Sequence, residues 1–246
     1  MANHARDNRS VLAAGEQRLL IWMAGRLPGR VSSDHLSALG FVGMLGAGFA
    51  FALAGTHRWA LPLVVVALAI NWFGDSLDGT LARVRNQQRP RYGYYVDHAL
   101  DVLGTSVLFS GLAYGGLMTP TVAMALLAAY FAVMAEVFLA THVRGVFRMS
   151  FWGFGPTELR LVLSLGALAL LRDPRVVIGD LGPFQLFDVG AVVAIAGMAL
   201  TFLVSSARTT RALYLAEPLD RPGPAVSPAP AVTRMAGTAG AVPDRL

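Results

Sequence analysis

The amino-acid sequence predicts an all-α membrane protein in which about six transmembrane helices follow an N-terminal amphipathic helix lying on the membrane surface. Three observations lead there. The 246-residue chain is 55% hydrophobic and only 14% charged, outside the usual soluble mix. Apolar runs near the length of about 20 residues needed to cross a bilayer recur at roughly 36–56, 59–82, 94–117, 119–141, 157–172 and 185–206. Arginines also gather on alternate connections: Arg83, Arg85, Arg89 and Arg91 between spans two and three, Arg144 and Arg148 between four and five, Arg208 and Arg211 after six. By the positive-inside rule both termini and the loop from Arg83 to Arg91 face the cytoplasm, which for a bacterial chain means an inner-membrane protein. Cysteine is absent, which excludes disulfides and thiolate metal sites. Lysine is absent too, so all basic charge is arginine.

Residues 1–35 read as a cytoplasmic interfacial helix and linker. They contain no apolar h-region of the kind a cleaved signal needs, so insertion through the first span is expected. Leu12, Leu19, Met23 and Leu27 fall on one helical stripe with Trp22 beside it, and Arg18 and Arg26 are placed to meet headgroups. Glu16 interrupts that stripe. Residues 36–212 form the six-helix domain. The region 213–246 turns to Pro, Ala, Gly and Thr without periodicity and is expected to be disordered.

Spans two and three pose the functional question, because four aspartates lie in or beside apolar sequence. At 100° per residue, Asn71, Asp75, Asp78, Gly79 and Ala82 share one side of span two, and Gly93, Asp97, Asp101 and Gly104 share one side of span three. The short connection makes the spans antiparallel, so both carboxylate pairs sit at one depth. Each unpaired aspartate costs about 2.5–3.5 kcal/mol on the lenient insertion scale, which demands compensation. Arg83, the one arginine on the helical part of this stretch, cannot neutralise four acids. Clustered carboxylates without histidine or cysteine favour hard cations, Mg²⁺ or Mn²⁺, and one or two such ions answer the charge. Gly79, Ala82 and Gly93 would then let helices approach and leave room for substrate. His98 lies about 100° off the carboxylate face and is not counted as a ligand.

The series Asp75-x-x-Asp78-Gly79-x-x-Ala82-Arg83, followed by Gly93-x-x-x-Asp97-x-x-x-Asp101, resembles the signature of the CDP-alcohol phosphotransferase (phosphatidyltransferase) family of phospholipid-synthesising membrane enzymes. Two departures stand out. Nine residues separate Arg83 from Gly93 where eight are expected, and the first span opens with "SSDHLSALG" where many members carry Pro-Asn and Thr, which weakens transfer of the nucleotide contacts made there. The resemblance implies phosphatidyl transfer from a CDP-linked lipid donor to a small alcohol with release of CMP. It makes Asp75, Asp78, Asp97 and Asp101 the ligands of a pair of Mg²⁺ or Mn²⁺ ions, Asp101 the general base, and Gly79, Ala82 and Arg83 the donor-binding residues. A homodimer is the family expectation, with Gly40 and Gly43 as small-residue contacts, and no nucleic acid partner is expected.

Two residues outside the signature are candidates for acceptor or phosphate contacts. Glu136, in span four, either bonds a neighbouring helix or lines the acceptor path, and Arg160, one turn into span five, either binds an acceptor phosphate or snorkels, with snorkelling preferred. Two other functions are alternatives for such a chain. The reverse chemistry, with CDP-choline or CDP-ethanolamine as donor and diacylglycerol as acceptor, fits longer relatives better. A carboxylate-lined ion or proton-coupled transporter would show an inverted repeat, and spans five and six carry no counterpart of the acids.

Overall fold

The structure is a computed structural model that describes residues 6–7, 13–144, 147–148, 156–172, 175–177, 179 and 182–217. Its described helices are α1 (Ala13–Ala24), α2 (Ser33–Ala54), α3 (Ala60–Val84), α4 (Pro90–Tyr114), α5 (Pro120–Arg144), α6 (Pro156–Ala169) and α7 (Leu186–Ala216). Two short ladders accompany them. β1 (Arg6–Asp7) pairs in parallel with β2 (Phe147–Arg148), and β3 (Arg175–Val177) pairs antiparallel with β4 (Pro183–Gln185) in the β-branched stretch before α7. From Thr210 onward the chain forms a separate unit, Thr210–Leu246, described only for the last turns of α7 and Glu217. Helix α7 thus continues past 213, and the rest of the expected disordered tail lies outside the described residues.

Among the described residues four helices, α2, α3, α5 and α7, are long and apolar enough to cross a membrane. The all-α membrane class holds, while the count of six is matched only in these four. Helix α6 has 14 residues, about 21 Å at 1.5 Å per residue against a hydrocarbon core of about 30 Å. Helix α4 has 25 residues, but Arg91, Asp97, Asp101 and four tyrosines dilute its apolar character. Large side chains such as Val42, Phe49, Val66, Met124 and Leu203 stay exposed on the outside, as lipid-facing positions should.

Helix boundaries follow local chemistry. Ser32 caps α2: its Oγ accepts the N–H of His35, whose Nδ1 accepts the N–H of Ser32, a reciprocal pair that satisfies two end groups. Helix α3 ends where Asn86 takes the left-handed conformation at φ 55°. Pro90 opens α4, so the long signature spacing leaves only residues 85–89 between the helices. Pro120 opens α5, and Asp188 of α7 accepts both the N–H (2.8 Å) and the hydroxyl (2.6 Å) of Thr119.

Helix α2 is the centre of the bundle, packed against both α3 and α4, with α5 on α4 and α1 and α6 on α3. Backbone meets backbone along it. A Cβ added at Gly43 would lie 2.5 Å from the Asn71 nitrogen, and one at Gly74 would strike the backbone of Leu36 and Gly40. Further along, Gly48 and Gly111 bring α2 against α4 in the same way. Below this contact lies a core of Phe51, Leu61, Val64, Leu68, Leu108 and Leu112, and Phe51 meets Phe187 of α7 edge-to-face at 5.5 Å.

Two sequence expectations change here. Gly40 and Gly43 are spent inside the chain on α3, so they are not open to a second copy. A Cβ on Gly93 would meet nothing within 4 Å, so that glycine does not serve helix approach. The face that α1 buries against the bundle is a further one, beside the apolar stripe expected to meet the membrane. Leu20 and Ala24 are buried with Leu36, Leu77 and Leu81, Met23 and Leu27 pack alongside, and Leu19 is exposed with Trp22; Leu12 lies outside the described residues.

The two kinds of glycine should respond oppositely. Gly43→Ala forces α2 from α3 and should cost about 1–3 kcal/mol, as overpacking does. Gly93→Ala should be neutral or stabilising by up to about 1 kcal/mol through helix propensity. Unfolding of the two variants in mixed detergent checks both signs.

Candidate active site

Helices α3 and α4 present their carboxylates to the start of α2. Asp75, Asp78, Asp97 and Asp101 line one cavity that is partly open to solvent, together with Ser37, Gly40, Phe41, Met44, Asn71 and Leu100. The sequence-predicted acids are thus brought together. The face on α3 exists because Gly40 has no side chain there, so the Asn71 amide reaches the Gly40 carbonyl at 2.8 Å. With its nitrogen so placed, Asn71 turns its oxygen toward α6.

Arg160 of α6 takes up that oxygen. Its Nε donates to Asn71 Oδ1 at 2.6 Å, and a terminal nitrogen donates to Asp75 Oδ2 in an ion pair. Arg160 is buried at 8% exposure. The preferred expectation of snorkelling is therefore overturned: a carboxylate and an amide lie within reach inside the bundle, and pairing there offsets the buried charge of both partners. The cation that meets Asp75 comes from a different helix than Arg83.

Asp78 is held otherwise. Ser37 Oγ donates to Asp78 Oδ2 at 2.5 Å, the Gly79 N–H donates to Oδ1, and Ser33 Oγ donates to the Asp78 carbonyl at 3.1 Å. The divergent opening of the first span therefore ties α2 to α3 beside the cavity. Ser37 and Asn71 are functional candidates to which the sequence reading gave no role. The available signal was helical spacing, since Ser37 lies four residues from Ser33 and Asn71 four from Asp75. His98 bonds the Tyr94 carbonyl at 2.7 Å and stacks with Tyr94 and Phe138, with its Nδ1 4.0 Å from Asp97.

The remaining candidates stand outside the cavity lining. Arg83 is exposed and donates to Thr80 Oγ1 at 2.9 Å, while Gly79 and Ala82 are half-buried on α3 just past Asp78. Glu136 is buried on α5 at 7% exposure and is not among the lining residues. In kind, four carboxylates and a hydroxyl suit a hard divalent cation. In arrangement, no three His, Cys, Asp or Glu side chains among the described residues are gathered closely enough to hold one. Arg160 supplies the compensating charge at Asp75 in this conformation.

A family model described as CDP-alcohol phosphatidyltransferase matches residues 32–206, more than two thirds of the chain. No individual curated protein matches the sequence. The chain belongs to the CDP-alcohol phosphatidyltransferase family, an integral membrane transferase type that uses a CDP-alcohol donor and an alcohol acceptor.

If Arg160 and Asp75 compensate one another, removing either alone should cost more than removing both. Arg160→Gln is expected to destabilise the protein in chelator by on the order of 3 kcal/mol, as broken buried pairs do. Adding Asp75→Asn should recover much of that loss, and a double-mutant cycle of unfolding free energies measures the coupling.

Proposed function

We propose that this transferase moves a phosphatidyl group from CDP-diacylglycerol to a small alcohol and releases CMP. The observation that carries the reading is the convergence of four carboxylates from α3 and α4 on one cavity beside Ser37 of α2. In the reaction the acceptor oxygen attacks the β-phosphorus of the donor, the bond from that phosphorus to the bridging oxygen breaks, and CMP leaves with that oxygen. The acceptor proton must go to a base. Asp101 is assigned that role by family likeness, and its place in the cavity lining supports it.

Asp75, Asp78 and Asp97, with Asp101 beside them, would hold one or two Mg²⁺ or Mn²⁺ ions. Such ions, when bound, neutralise the pyrophosphate and stabilise charge on the oxygens at the reacting phosphorus. Ser37 orients Asp78, and Asn71 orients Arg160 against Asp75. Gly79 and Ala82 leave space along α3 for the cytidine moiety, and Arg83 is positioned on the exposed side of that helix to grip a donor phosphate with its forked guanidinium. The apolar outer surface of the bundle suits a donor whose acyl chains remain in the bilayer. The arginines at 83, 85, 89 and 91, close to the carboxylates in sequence, support a site that faces the cytoplasm.

Purified protein given CDP-diacylglycerol, CDP-choline or CDP-ethanolamine with a panel of acceptors should release CMP only with the first donor, and mass analysis should find a phosphatidyl product. Excess chelator should abolish release and Mg²⁺ or Mn²⁺ should restore it. Asp101→Asn should lower turnover by about 10²–10⁴ while donor affinity stays within a few-fold. CMP release that is indifferent to chelator would remove the role given to the carboxylates, and a product from CDP-choline and diacylglycerol would reverse donor and acceptor.

A further inference from the structure

Helix α3 carries two polar pairs side by side, each spaced four residues apart so that both members share a stripe. Asn71 and Asp75 take Arg160 of α6. One residue along, Trp72 and Ser76 take Glu16 of α1: the indole N–H donates to Glu16 Oε1 at 2.7 Å, and the serine hydroxyl lies at the 3.5 Å limit. The same Glu16 oxygen accepts the hydroxyl of Thr157 at 2.8 Å. Thr157 sits in the first turn of α6, three residues before Arg160 and on the same side of the helix.

One carboxylate oxygen therefore joins three helices beside the candidate active site. We propose that Glu16 is a positioning residue for that site: through Thr157 it fixes the first turn of α6 against α3 and so sets the Arg160 guanidinium on Asn71 and Asp75. The physical need is clear from α6 itself. It is a short helix whose fully buried apolar contacts, Leu163 and Ala167, lie beyond Arg160; in the first turn Leu159 packs only partly on the core, so the polar ties add to its hold. A guanidinium that must meet two acceptors at fixed angles tolerates little rotation of its helix. Because Glu16 belongs to the helix that also docks Leu20 and Ala24 on the bundle, the seating of α1 and the charge balance at Asp75 become one event.

The role in catalysis rests on the transfer reading above, so the test pairs a binding readout with a reaction readout on the full chain in lipid nanodiscs. Thr157→Val removes the tie to α6 while leaving Trp72 on Glu16. Arg160→Lys keeps the charge and the fold but loses the fork. Calorimetric titration with Mn²⁺ and kcat/KM for CMP release are measured for each variant and for the double variant. Thr157→Val should tighten Mn²⁺ binding by at least about threefold, because Arg160 gives up Asp75 more readily, and should lower kcat/KM by about tenfold. In the Arg160→Lys background the same change should add less than about twofold to either quantity. Glu16→Gln, which keeps a carbonyl acceptor at the same place, should stay within about threefold of the wild type in both.

Independent effects in the two backgrounds would overturn the proposal, as would a Thr157→Val protein that melts lower with unchanged Mn²⁺ affinity and kcat/KM. A wild type that binds Mn²⁺ but releases no CMP from any CDP-donor would sink the transfer reading, and the Mn²⁺ cycle alone would then decide the positioning role. A wild type that turns over normally with an additive cycle would sink the positioning role and leave the transfer reading standing.

Discussion

The backbone contact between α2 and α3 at Gly40, Gly43 and Gly74 sets the spacing on which the carboxylate cavity depends. With no side chain between the helices, the Asn71 amide reaches the Gly40 carbonyl, and its oxygen is thereby turned to Arg160. Arg160, held by that oxygen, is aligned on Asp75. The same closeness lets Ser37 meet Asp78. Steric absence at three positions thus becomes electrostatic order several ångströms away, because a buried polar group accepts a neighbour only where its hydrogen bonds can be completed.

What the sequence made legible was periodic. Spacings of three and four residues put Asp75 with Asp78, and Asp97 with Asp101, on common helical faces, and the structure lines one cavity with all four. What it hid was partnership across distance. Arg160 lies 85 residues from Asp75, and no pattern along the chain announces that they meet. Glu16 looked like a flaw in an apolar stripe for the same reason, since its donors Trp72 and Thr157 are remote in sequence and the inward face of α1 is the one that carries it. Gly93 and Gly43 are alike as letters; only their neighbours tell an open position from a close contact. The expected six spans are matched by four helices among the described residues, because the length of α6, Pro156–Ala169, falls short of the hydrocarbon core.

Burying acids in a membrane bundle is tolerable here because different helices answer different carboxylates. Asp75 is met by a cation from α6, and Asp78 by a hydroxyl from α2 and a backbone amide. The two α3 acids therefore differ in electrostatic surroundings although the signature writes them alike. A ligand arriving at this cavity meets an ion pair with Arg160 at Asp75, and at Asp78 the hydroxyl of Ser37 and the Gly79 amide.

The adjacency of the two stripes on α3 has a bearing on how the bundle finds its alignment. Turning α3 by one residue, about 100°, would bring Trp72 and Ser76 to where Asn71 and Asp75 stand. The guanidinium would then face an indole and a hydroxyl, and the Glu16 carboxylate would lose its indole donor. The close contact at Gly74 already resists such a rotation sterically, and the polar stripes add to it where larger apolar side chains discriminate weakly. Opposite charges assigned to neighbouring stripes act as a key for rotational phase, so a mis-turned α3 is penalised at two places at once during assembly of the bundle.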